Sequence, residues 1–142
     1  MKSFVTSDPG RIVVLHLGKG DLLLESIENE CRRLRIRNGV VLSCIGSMRK
    51  AVFHVIMGTD DDPVNEFITL EKPMEIGAVQ GIILDGVPHL HIACSDPQRV
   101  YTGHLEPGTE IQYLCEISIL ELGGLNLMRR RDEFGIDYID YK

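Results

Sequence analysis

No run in this sequence approaches the roughly 20 consecutive apolar residues that a membrane-spanning helix requires, so no membrane partner is expected. The start, MKSFVTSDPGR, lacks the basic and apolar blocks of a signal peptide, which makes the cytoplasm the expected location. There is no C-x-x-C pair. Cys31, Cys44, Cys94 and Cys115 are scattered among apolar neighbours, the pattern of reduced core residues and not of a thiol site. Positive charge is scarce: 15 Lys and Arg stand against 21 Asp and Glu, a net charge of −6. That balance opposes unaided binding to a phosphate backbone, since such affinity comes mostly from Lys and Arg neutralising phosphates. Also missing are the phosphate-cradling G-x-x-x-x-G-K-[ST], the G-x-S-x-G nucleophile turn and the H-E-x-x-H zinc helix. LGKGD has two glycines but neither the length nor the order of a nucleotide loop. Asp60, Asp61 and Asp62, in TDDDP, lack the spaced ligands of a calcium loop and read as a solvated turn.

What is present reads as one globular domain over 1–142. The 44% hydrophobic and 25% charged residues are ordinary for a folded chain, and 142 residues suffice to bury roughly two-thirds of the unfolded surface without staples. RIVVLHL, β-branched and bounded by Pro9-Gly10 and by Gly18-Lys19-Gly20, predicts a strand. Leu24, Ile27, Cys31 and Leu34 then recur at helical spacing, predicting a long helix over 21–37 that Asn38-Gly39 terminates. Asp21 and Glu25 near its start, and Arg32, Arg33, Arg35 and Arg37 near its end, complement the helix dipole. With Glu28 and Glu30 among them, those arginines read as a solvated face and not as a nucleic-acid patch.

Beyond Gly39 the pattern turns to β. VVLSCIGSM and KAVFHVIMG predict two strands separated near 47–50, and NEFITLEK and MEIGAVQGIIL two more divided at Lys72-Pro73. VPHLHIACS, RVYTGHL and EIQYLCEISILEL follow. The fold class is therefore α+β: a mainly antiparallel, curved sheet with one long helix near the start. The core spans about 10–122, and 123–142 form an extra C-terminal strand, an arm against a neighbouring subunit or a frayed terminus.

Three of the five histidines fall in one short stretch. His89 and His91, two apart in PHLHIACS, project from one face of a strand. The SDPQ cluster after it reverses the chain, so TGHL brings His104 alongside. Three neutral imidazoles suit zinc or another late first-row divalent ion, and leave one coordination position open. The plainer alternative is that each is a half-buried strand residue with one wet edge. His16 and His54 have no partner in the pattern and take that plainer reading.

GRIVVLHLGKGD followed by a helix, then NGVVLSCIGSM, PMEIGAVQG, PHLHIACSD and TGHL, together resemble the plants-and-prokaryotes-conserved (PPC) domain, also called the AT-hook-associated domain. The likeness runs over about 10–122, with the pieces in order. It implies a compact α+β fold assembled as a homotrimer, and it implies His89, His91 and His104 as metal ligands. Plant members carry an AT-hook that enters the minor groove of DNA. Single-domain prokaryotic members are often labelled DNA-binding. This chain has no R-G-R-P core; RRRDEF is its single arginine triplet, and acids follow it at once.

Two functions follow as expectations. The first is a homotrimeric, metal-binding and DNA-associated assembly module. The second is a metal-dependent enzyme on a small molecule, since zinc with three protein ligands lowers the pKa of its water to about 7. No catalytic residue is assigned for it. Glu75 and Arg49 are candidates by residue type alone, for proton transfer and for holding an anionic ligand; a surface carboxylate and a solvated turn residue are the alternatives. Arg11 opens the family pattern and either pairs with a carboxylate or sits exposed.

Overall fold

The computed structural model describes residues 1–60 and 63–142. The elements are β1 (Pro9–Gly18), α1 (Leu23–Leu34), β2 (Gly39–Ile56), β3 (Asn65–Leu84), β4 (Val87–Ser95), β5 (Val100–Leu105), β6 (Glu110–Leu122), β7 (Leu127–Arg131) and β8 (Asp137–Tyr141). The acidic turn expected over 59–63 includes residues 61 and 62, which lie outside the described residues.

Six strands form one antiparallel sheet in the order β1-β6-β2-β3-β4-β5. The sheet also closes on itself, because β5 returns to β2, with Phe53 opposite Leu105 and His54 opposite His104. Along one edge of β2, β6 pairs with Gly39 to Lys50 and β5 with the residues just beyond. Closure buries an apolar layer supplied by alternate positions: Ala51 and Phe53 on β2, Leu90, Ile92 and Cys94 on β4, Leu105 on β5, and Ile111, Cys115, Ile117 and Ile119 on β6. Helix α1 adds Leu23, Leu24, Ile27 and Cys31.

Two expected strand breaks are absent. β2 runs unbroken through 47–50 and β3 through Lys72-Pro73. Met48 pairs with Met74 and Lys50 with Glu71, so Arg49 alone faces Lys72 and Pro73 together. The extra residue makes a bulge, and Pro73, having no N–H to give the ladder, occupies it without interrupting the strand.

The helix is shorter than the sequence suggested, at 12 residues. It stops at Arg35, which takes a left-handed backbone at φ 59°. The N–H of Arg35 donates to the carbonyl of Arg32, and that of Ile36 to the carbonyl of Cys31 at 2.9 Å, the paired bonds that commonly close a helix. Ile36 then enters the core beside Cys31. Arg37 lies beyond the helix and pairs with Asp85. Asn38 is a buried strut: its amide donates to the carbonyl of Leu125 at 3.1 Å and accepts from the N–H of Leu127 at 3.2 Å. These bonds anchor the tail, which is a two-stranded hairpin of β7 and β8.

The four cysteines are buried free thiols. Burial pushes Cys31 and Cys94 up to about 11, so both stay protonated at neutral pH. Cys44 and Cys115 approach with their sulfurs 3.5 Å apart.

Candidate metal centre

On β4, Leu90, Ile92 and Cys94 point into the core, so alternation turns His89 and His91 outward. The turn after β4 is fixed by Asp96. Its carboxylate accepts from the N–H groups of Gln98 at 2.7 Å and Arg99 at 2.9 Å, and pairs with Lys72. The Lys72 ammonium, with the two backbone donors, holds that carboxyl well below the usual range. The chain thus reverses directly into β5, and His104 falls opposite His91.

A glycine completes the approach of β5 to β2. A Cβ on Gly103 would stand 2.6 Å from both the His54 carbonyl oxygen and the Phe53 ring, where nothing fits. Gly81 does the same between β3 and β4: its φ is +150°, and a Cβ there would lie 2.0 Å from the His89 carbonyl oxygen.

The outward face gathers one ligand atom each from His89, His91 and His104 within 4.8 Å of one another. His89 and His104 rings lie 4.7 Å apart, and His91 lies 5.5 Å from His104. His91 is exposed, His89 and His104 half-buried. Burial, reinforced by the imidazoles of His89 and His54, pulls His104 down to about 4. Burial, with the charge of Arg129 next, lowers His89 too. Both rings are therefore neutral at pH 7, the form that donates a lone pair to a metal.

Sequence reasoning missed His54. It stacks on His104 at 4.5 Å between ring centres, packs against Phe67 at 5.2 Å, and holds Glu106 through Nδ1 at 2.6 Å. His54, His104 and Glu106 make a second group of potential ligand atoms within 4.8 Å. The signal was local: with Ala51 and Phe53 inward, His54 must face out, but only the closure of β5 onto β2 sets it beside His104.

The other candidates lie elsewhere. Glu75 is exposed and sits opposite Ser47 and Ser95, several strand positions from the histidines. Arg49 pairs with Glu110 at 2.5 Å in a charged hollow with Lys50, Glu71 and Lys72. Arg11 bonds Glu121 through Nε at 2.7 Å and caps the carbonyl of Leu34 through a terminal nitrogen. His16 is an exposed residue of β1, opposite Glu116.

A closed antiparallel sheet with one short helix, bearing three histidines gathered on its outward face, defines a small α+β domain. Residues 5–123 match the Plants and Prokaryotes Conserved (PCC) domain, and the chain belongs to that family. A metal-containing protein from Archaeoglobus fulgidus is 28% identical, with a TM-score of 0.82 over 97% of this chain and 98% of that one. A plant- and prokaryote-conserved (PPC) protein from Pyrococcus horikoshii shares the fold at 23% identity and a TM-score of 0.82, over 98% and 99% of the two chains. A curated relative, the bifunctional protein GlmU of a Synechococcus strain, is 32% identical over 112 residues; these are 78% of this chain, which spans 17% of that protein's length. Among the described residues, no helix is long and apolar enough to cross a membrane.

Proposed function

We propose that this chain is a metal-binding assembly module in which His89, His91 and His104 hold one divalent ion, zinc by preference, within a homotrimer. The observation that carries this reading is the convergence of three imidazole donors within 4.8 Å on one outward face. The donor set fits the ion. Tetrahedral zinc with bonds of about 2.0–2.1 Å needs its ligand atoms about 3.4 Å apart, a separation that side-chain rotation reaches from here. The Archaeoglobus relative, named as metal-containing, agrees with the reading. A bound ion supplies a Lewis-acidic centre with one position free for a ligand.

Assembly is supported by apolar surface left open on the sheet. Val14 on β1, Leu42 and Ile45 on β2, and Leu114 on β6 are 74%, 49%, 50% and 42% exposed. A surface of this kind is commonly covered by another chain. DNA association rests on family likeness, and the net charge of −6 works against it. A mobility shift at low salt that vanishes steeply as salt rises would support it; no shift at low salt removes it.

The test is elemental analysis of the purified chain beside a His91→Ala variant, with each mass read by light scattering. About one equivalent of metal per chain, lost in the variant, and a trimer mass support the proposal. A metal-free monomer overturns it.

One observation favours the enzyme reading as the second choice. The His54–Glu106 pair, stacked against His104, is a carboxylate–imidazole couple of the kind that moves protons. Zinc-loaded protein inactive across hydrolase substrates would leave that reading without support.

A further inference from the structure

The tail hairpin brings an arginine to the histidine cluster. Arg129, on β7, donates to the carbonyl of Ile82 at 3.0 Å and to that of Val87 at 3.0 Å. Ile82 is the strand partner of His89, and Val87 precedes His89 by two residues, so the guanidinium straddles the two strands that present this imidazole. Its charge is felt at His89. Next to it lies an open hollow of about 490 Å³ lined by Val40, Val41, Gln80, Ile82, His89 and His91.

Among the described residues, Arg129 also has no carboxylate within ion-pair distance. Its guanidinium is half-buried, and burial is the larger influence on it, ahead of the opposing field of Asp137. Asp137 is itself taken by Arg131 Nε at 3.0 Å. Among the described residues, the hydrogen bonds of Arg129 go to two backbone carbonyls, which leave three of its five N–H donors free. A partly buried charge without a paired anion is costly to keep, and a planar donor fork beside a metal position is a receiving site for an oxyanion.

We propose that Arg129 and the histidine cluster together bind a small oxyanion, a carboxylate or a phosphate, with the ion held by His89, His91 and His104 engaging one end and the Arg129 fork the other. This rests on the metal reading above and adds the chemical class of the ligand. It also gives the tail hairpin a role: Asn38 ties its start to the sheet, and Arg129 carries the recognising group.

The experiment uses the full chain loaded with cobalt(II), whose visible spectrum reports changes at the metal, titrated with inorganic phosphate, acetate and neutral imidazole. Wild-type protein is expected to give a saturable shift with at least one of the two anions, and the tighter one identifies the source. Arg129→Met is expected to weaken that anion roughly tenfold or more, as loss of a charge-assisted bond implies, with imidazole binding and cobalt content unchanged. Arg129→Lys, which keeps the charge without the fork, should recover part of the loss and serves if the Met variant fails to fold. Equal anion affinity in wild type and variants, or no anion response from a cobalt-loaded chain, overturns the oxyanion site and leaves the metal reading standing. A chain that takes up no cobalt overturns both.

Discussion

Replacing Gly103 with alanine tests how the closure of the sheet builds the histidine site. The new methyl would meet a backbone oxygen and an aromatic carbon at 2.6 Å, and ordinary contact begins near 3.4 Å, so β5 must move off β2 by about 0.8 Å. The His54 carbonyl is backbone and the Phe53 ring is 1% exposed, so neither neighbour can give way cheaply. Overpacking of this kind costs about 2–3 kcal/mol, which for a chain of this length lowers the melting temperature by about 10 °C. The displaced strand carries His104 one residue on, so zinc affinity should fall about tenfold with it. Thermal melting followed by circular dichroism reads the first effect, and competition with a chromophoric chelator reads the second. A variant that melts within about 2 °C of wild type and keeps its zinc affinity would refute the claim that this glycine sets the strand approach.

Asn38→Ala leaves the carbonyl of Leu125 and the N–H of Leu127 without their partner, a local cost of about 2–3 kcal/mol. Trypsin should then cut faster after the exposed Arg130 and Arg131; an unchanged cleavage rate contradicts the strut. Arg35→Gly relieves a left-handed residue at the helix end and should raise stability by about 1 kcal/mol, as an increased urea midpoint. Asp96 has a depressed folded pKa, so its contribution is complete above its unfolded pKa of about 3.9 and is lost as pH falls through the folded value. Asp96→Asn should therefore be less stable than wild type at pH 7, and the gap should narrow below about pH 4; a gap constant with pH excludes the ion pair as its source.

Local sequence carried the nearest part of the site: alternation in VPHLHIACS decides that His89 and His91 share a face, and the SDPQ turn residues return the chain so that His104 comes alongside. It could not carry what depends on pairing between distant strands. Pro73 reads as a break until Arg49 is seen to face two residues across the ladder. His54 reads as an isolated strand histidine until β5 closes onto β2, some 50 residues further along the chain. The helix boundary failed for a different reason: Arg35 has no sequence preference for a left-handed backbone, and burial of Ile36 imposes it. The docking of the tail was hidden too: it rests on Asn38, nearly 90 residues before the tail bonds it makes, and on Arg129, which reaches the carbonyls of Ile82 and Val87 more than 40 residues back along the chain.

The two faces of β4 separate folding from chemistry. Leu90 and Ile92, each 1% exposed, fill the closed sheet, while His89 and His91 between and beside them add nothing to that core. Removing one imidazole should then cost the ion without costing the fold. His91→Ala, at an exposed position of a strand paired on both sides, should melt within about 2 °C of the metal-free wild type, as surface substitutions usually do. The same variant should lose the rise in melting temperature that excess zinc gives the wild type, because only binding to the native state produces that rise. Gly103→Ala behaves differently, since it sits where the strand approach that closes the core is also the approach that positions His104. A His91→Ala variant that unfolds even without metal would mean that the histidine cluster holds the sheet together, and the division of labour between the two faces would fall.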